Sequence, residues 1–244
     1  MAQPRFRMFA GPNGSGKTSL FKTLKGQSFI HTEVYVNADH IEQKLSQELR
    51  FNFNAYRVKV SDEDFKKHIR KSGILKKIHN KSFLNKIEIA SGILKLHIRK
   101  AELNSYIASF IASYLALKLF ETGQSFCYET VLSHPSKLGL LKRSKHSGYK
   151  SYLYFIATDN LELNIERVKL RVQLGGHDVN TKKIGERYFR SLRLFKQAAS
   201  LADDAFLIDN SQEFKVMTEL KNNKVIYVDP SYPAWLRKYY NPEK

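Results

Sequence analysis

Gly11-Pro12-Asn13-Gly14-Ser15-Gly16-Lys17-Thr18 fits the pattern G-x-x-x-x-G-K-[ST] in full, and no other stretch restricts the fold as much. Residues 5–10, RFRMFA, read as a strand running into it, and residues 17–24 as a helix leaving it. Glycines let a backbone curl without Cβ clashes, so that successive N–H groups point into one concavity. The positive end of the following helix is aimed at the same spot. Such a strand–loop–helix unit cradles the phosphates of a nucleoside triphosphate. Lys17 reaches the β- and γ-phosphates, and the Thr18 hydroxyl is placed to ligate Mg2+.

Further strands at 33–37, 125–129, 151–156, 205–209 and 224–228 alternate with helices at 40–49, 104–121, 136–146, 161–173 and 182–201. A short helix closes the chain. The alternation predicts an α/β fold of the P-loop NTPase/kinase kind, with a mostly parallel sheet and helices on both faces. Between about 51 and 100 the chain turns rich in Lys, Asn, Ile and His and poor in strand-like runs. "SDEDFKKHIRKSG" there has a helix cap at Ser61 and a stop at Gly73. The reading is one domain over 1–244 with a helical insertion at 51–100. Gly175-Gly176-His177 parts two helices that carry Arg167, Arg171, Arg187 and Arg190. Residues 174–181 therefore read as the hinge of a lid that brings cations on closing.

Apolar residues make up 42% of the chain, enough for a core at 244 residues. Lys and Arg number 41 against 23 Asp and Glu, a formal net charge of +18. That surplus suits an anionic partner, a nucleotide or a nucleic acid, or a plain soluble surface, since it is spread along the chain. Cys127 stands alone, so no intramolecular disulfide forms, and a reducing compartment, the cytoplasm, is expected. The N-terminus MAQPRFRMFAGP has no apolar run of signal-peptide length. The apolar stretch 106–120 is interrupted by Lys118 and falls short of the roughly 20 residues that span a bilayer. No membrane association is expected.

The phosphate loop leaves the fate of the γ-phosphate open. The LSGGQ-like signature of transporter ATPases and the N-K-x-D guanine motif of GTPases are absent. Asp39 follows the strand 33–37 and precedes "HIEQKL". It is either a base at the carboxyl edge of the sheet or a helix N-cap, and the sequence alone weighs these evenly. Glu129 ends an apolar strand, as a site acid or as an acid bonded to a neighbouring loop. Arg167 and Arg171 are i, i+4 neighbours, on a lid or on a solvated face. Asp209-Asn210-Ser211 borders the base pocket or simply turns the chain. The Tyr-rich stretches 149–155 and 227–240 read as strand core more than as base-stacking platforms.

"AGPNGSGKT" at 10–18, "VNAD" at 36–39, "SFCYETVLSH" at 125–134, "RVKLRVQLGGHDV" at 167–179, "ERYFRSL" at 186–192 and "IDNS" at 208–211 stand in the order seen in the zeta toxin family. The chain resembles that family over most of its length outside the insertion. The resemblance implies a P-loop kinase that moves the γ-phosphate of ATP or GTP, with Mg2+, to a sugar hydroxyl of UDP-N-acetylglucosamine. Family members thereby block peptidoglycan precursor synthesis, and an antitoxin protein restrains them. It implies Asp39 as the catalytic aspartate, Lys17 and Thr18 on the phosphates and the metal, and Glu129 with Thr130 on the acceptor. Arg171 and Arg187 would neutralise the transferring phosphate, with Arg167 and Arg190 as competitors. The spacing from Asp39 to Glu129 exceeds that of compact members. Beside this stand two other readings. The positive charge suggests a nucleic-acid-binding P-loop protein or polynucleotide kinase, and the loop alone suits a partner-stimulated ATPase.

Overall fold

In the computed structural model, residues 2–78, 81–175 and 179–240 are described. In chain order the elements are β1 (Arg5–Ala10), α1 (Lys17–Gly26), β2 (Tyr35–Asn37), α2 (Ala38–Glu48), β3 (Arg50–Asn52), α3 (Asp62–Ser72), α4 (Ile74–Lys77), β4 (Ile87–Ala90), β5 (Ile93–Leu96) and α5 (Ser105–Thr122). There follow β6 (Phe126–Thr130), α6 (Leu138–His146), β7 (Lys150–Ala157), α7 (Leu161–Gln173), α8 (Thr181–Leu201), β8 (Asp204–Asp209), β9 (Lys215–Lys221), β10 (Lys224–Val228) and α9 (Ala234–Tyr239). The chain divides into two compact units, Met1–Tyr35 with Ser125–Lys244, and Val36–Gln124.

The first unit is built on strands in the order β10-β9-β8-β7-β1-β6. β6, β1, β7 and β8 run parallel, while β9 pairs antiparallel with β8 and β10 antiparallel with β9. Ala10 at the end of β1 is level with Thr130 of β6 and Phe155 of β7, so the carboxyl ends of these strands meet the phosphate loop together. α1 covers Phe9 with Leu20 and Phe21, in a cluster with Ile30, Cys127, Ile156 and Ile208. Each such buried side chain contributes about 1.5–3 kcal/mol. Phe9, Tyr154 and Phe206 stack across three strands, with centroids 4.8 and 5.1 Å apart. The fold is the expected mostly parallel α/β one. β9 was not anticipated: Lys215, Glu219 and Lys221 interrupt its apolar pattern, and its pairing with β8 makes the strand.

In the second unit Asn104 caps α5 by accepting from the N–H groups of Tyr106 and Ile107, and Gly123 ends the helix at φ +70°. Residues 51–100 are not all helix. α3 has its cap at Ser61 and its stop at Gly73, as expected. Beside α3 and α4, however, β3, β5 and β4 form a small antiparallel sheet. The strands are only three or four residues long, too short for alternation to stand out. β4 and β5 are joined by Ser91-Gly92 at φ +50° and +74°. Among the described residues no helix is long and apolar enough to cross a membrane.

Asp64 ties this unit together. It accepts from the Tyr114 hydroxyl at 2.7 Å and pairs with Lys118 at 2.9 Å. Partial burial opposes its ionisation, but the hydrogen bonds from Lys118 and Tyr114 outweigh this and hold the carboxyl below the usual range. A depressed carboxyl pKa stabilises the folded state above the unfolded-state value, and that stability is lost as pH falls through the folded-state value. Asp64→Ala is therefore expected to cost about 1 kcal/mol at neutral pH, a figure discounted for solvent screening. In urea titrations the gap between variant and wild type should narrow below about pH 4.

Candidate active site

The phosphate loop takes left-handed backbone at Gly14 (φ +78°) and Gly16 (φ +95°), with Gly11 at φ +143°. A Cβ would run into the Ile156 carbonyl at Gly11, the Asn164 carbonyl at Gly14 and the Asn210 side-chain amide at Gly16. The motif's glycines are therefore required by close neighbours as well as by the turn. Gly16 opens α1 without a side-chain cap, which leaves first-turn N–H groups for an anion. The buried Lys17 donates from Nζ to the Pro12 carbonyl at 2.7 Å. Ser15 Oγ and Asn13 Oδ1 are buried and lack a hydrogen-bond partner among the described residues. An unpaired buried hydroxyl costs about 1–3 kcal/mol, which a phosphate oxygen accepting from Ser15 Oγ removes. The loop thus fits a nucleotide's phosphates.

Glu129 sits at the next strand's end, level with Phe9. Its Oε2 accepts from Thr18 Oγ1 at 2.8 Å and from the Tyr35 hydroxyl. The Tyr35 ring stacks on Phe21, centroids 4.0 Å apart, which fixes that hydroxyl against the carboxylate. Glu129, expected on the acceptor, is joined to Thr18, the residue expected on the metal. A hydroxyl and a carboxylate are hard oxygen donors that suit Mg2+. Among the described residues no group of three or more His, Cys, Asp or Glu could hold a metal. The remaining ligands would be nucleotide oxygens and water, which is how Mg2+ is commonly held. Thr130 accepts from the Leu132 N–H at 3.1 Å and shapes the turn after β6, where Leu132 lies at φ +53°.

Asp39 lies in the second unit, in the first turn of α2. Asn37 is the N-cap, accepting from the Asp39 N–H at 2.8 Å. The Asp39 carboxylate is half-buried, and no hydrogen bond or ion pair to a described residue engages it. The cap role, open in the sequence, falls to its neighbour.

The arginines separate clearly. Arg167 donates to the carbonyls of Asn210 at 2.7 Å and Ser211 at 3.2 Å. Arg190 is paired with Glu186 at 3.1 Å one turn earlier on α8. Arg171 and Arg187 are half-buried on α7 and α8. Arg187 has no hydrogen bond or ion pair to a described residue. Gly176, His177 and Asp178, in the middle of the expected 174–181 hinge, lie outside the described residues. Gly175 stands at φ +82° beyond the end of α7. Burial pushes the Cys127 thiol up to about 12, so it remains protonated and is no nucleophile at neutral pH.

Sequence reasoning missed Asn164 and Asn210 as loop contacts. Asn164 Nδ2 donates to the Asn13 carbonyl at 2.6 Å, and Asn210 Nδ2 donates to the Ser15 carbonyl at 2.9 Å. "IDNS" marked the second position, but only as a turn or a base-pocket edge.

Residues 96–229 match the family model described as Zeta toxin. An uncharacterised protein of Haemophilus influenzae is 33% identical over 63 residues, covering 26% of this chain and 45% of that protein. Among solved structures, a chain of the AvrRxo1-ORF1:-ORF2 complex with ATP aligns over 100% of this chain and 65% of its own length, with TM-score 0.61 and 15% identity. The PezAT chromosomal toxin–antitoxin system of Streptococcus pneumoniae aligns over 96% of this chain and 75% of its own, with TM-score 0.52 and 16% identity. At these identities the likeness is one of fold.

Proposed function

The chain belongs to the zeta toxin family, and on that premise we propose that it is a P-loop phosphotransferase acting from ATP or GTP, with Mg2+, on a hydroxyl of a small anionic acceptor. The observation that carries the reading is the Thr18–Glu129 bond beside the glycine cradle, a pair of hard oxygens of the kind that suits Mg2+. UDP-N-acetylglucosamine is the favoured acceptor, from the family resemblance. In the proposed reaction the acceptor oxygen bonds to the γ-phosphorus, the bond from that phosphorus to the β,γ-bridging oxygen breaks, and the hydroxyl proton passes to Asp39. Phosphoryl transfer asks a protein mainly for positioning and charge neutralisation. Loop N–H groups, Lys17, Arg171 and Arg187 serve those ends. Thr18 and Glu129 would hold Mg2+, which would supply further positive charge to the transferring phosphate.

Incubating the protein with labelled ATP, Mg2+ and UDP-N-acetylglucosamine is expected to yield a labelled sugar nucleotide. A labelled product found only with another metabolite of an extract redirects the acceptor. Inorganic phosphate alone, under every acceptor tried, supports the ATPase reading and ends this one. Glu129→Gln should raise the Mg2+ concentration for half-maximal activity about tenfold, since a charged oxygen becomes a neutral one. Unchanged Mg2+ dependence with a raised acceptor KM would return Glu129 to the acceptor. A protein restrainer is proposed as partner, because PezAT is a toxin–antitoxin system. The lone buried Cys127 fits the cytoplasm as its compartment.

A further inference from the structure

We propose that Asn164 and Asn210 are positioning residues that grip the phosphate loop from outside, turn its N–H groups inward and fasten it to the helix that carries Arg171. The inference rests on the nucleotide-binding reading of the loop. Asn164 is fully buried on the first turn of α7, and its Nδ2 holds the Asn13 carbonyl at 2.6 Å. Its Oδ1 accepts from the buried Thr158 hydroxyl, so the amide cannot rotate away. Asn210 is anchored by its own N–H on the Ala157 carbonyl at 2.8 Å and reaches the Ser15 carbonyl through Nδ2 at 2.9 Å. Arg167, one turn after Asn164, holds the Asn210 carbonyl at 2.7 Å. The bonds therefore form a ring that runs from α7 to Asn13, along the loop to Ser15, across to Asn210 and back to α7.

A peptide whose carbonyl is fixed outward presents the following N–H on the opposite side. Carbonyls 13 and 15 thus aim the N–H groups of Gly14 and Gly16 away from the two asparagines. The same contacts explain two glycines of the motif, because Asn164 and Asn210 fill the space a Cβ would need at Gly14 and Gly16. Positions 164, 167 and 171 fall on one face of α7. The ring is therefore continuous with Arg171 through a rigid helix, and the loop and that cation keep a common frame.

The test measures affinity by calorimetry for two probes, ATP with Mg2+ and inorganic tripolyphosphate, which has phosphates but no base. Asn210→Ala is expected to weaken both about tenfold, in proportion, while circular dichroism stays that of wild type. Arg167→Met opens the ring without touching the loop, and should weaken both probes about threefold. Asp64→Ala, whose stability loss lies in the second unit, should leave both affinities unchanged. Unaltered affinities with a lowered Tm in Asn210→Ala and Arg167→Met would reduce the ring to scaffolding. A loss for ATP alone would make Asn210 a base contact instead. Failure of the wild-type protein to bind either probe would remove the nucleotide reading and this inference with it. Wild-type binding matched by the variants removes only the inference.

Discussion

Asp39→Asn should bind ATP–Mg2+ with near wild-type affinity and transfer its phosphate about 10³-fold more slowly, the scale of a lost general base. The substitution keeps the size of the side chain and the N–H that Asn37 caps, so α2 has no reason to unravel. Loss of a first-turn negative charge costs the helix only about 0.3–1 kcal/mol. The effect should therefore appear in single-turnover transfer, with nucleotide affinity and Tm as controls. A variant that transfers at the wild-type rate would show that the proton goes elsewhere.

Arg171→Ala and Arg187→Ala are each expected to slow transfer by about 10³-fold, roughly 4 kcal/mol of barrier, as for an arginine that meets charge only in the transition state. The contrast lies in Arg190→Ala. Its guanidinium is already paired with Glu186 on an exposed face, so its loss should change the rate by no more than about threefold. ATP affinity should fall little in any of the three, since a cation that acts on the transition state changes kcat more than binding. If Arg190→Ala proved damaging and Arg187→Ala did not, the choice between the two would be reversed.

Features with a local cause were readable from residue order. β1 and α1 stand where the glycine motif put them, because a strand, a glycine turn and a helix start are set by neighbouring residues. Ser61 and Asn104 cap their helices, and Gly73 and Gly123 stop them, through contacts no more than a few residues long. β3, β4, β5 and β9 were not legible, since short or charge-interrupted strands exist only by virtue of their partners. Asp39 shows the limit at finer grain. The sequence left Asp39 as a base or an N-cap, and only backbone geometry assigned the cap to Asn37.

Residue order was sufficient for the phosphate cradle, the α/β class and the family likeness, all of which reside in contiguous segments. The tertiary structure alone decided what surrounds the cradle. Glu129 reaches Thr18 across 111 positions, Asn210 reaches Ser15 across 195, and Arg167 reaches the 210–211 carbonyls. Hydrogen bonds of this kind depend on parallel strands ending level with one another. That alignment comes from burying apolar faces shared by distant segments, and no local spacing records it.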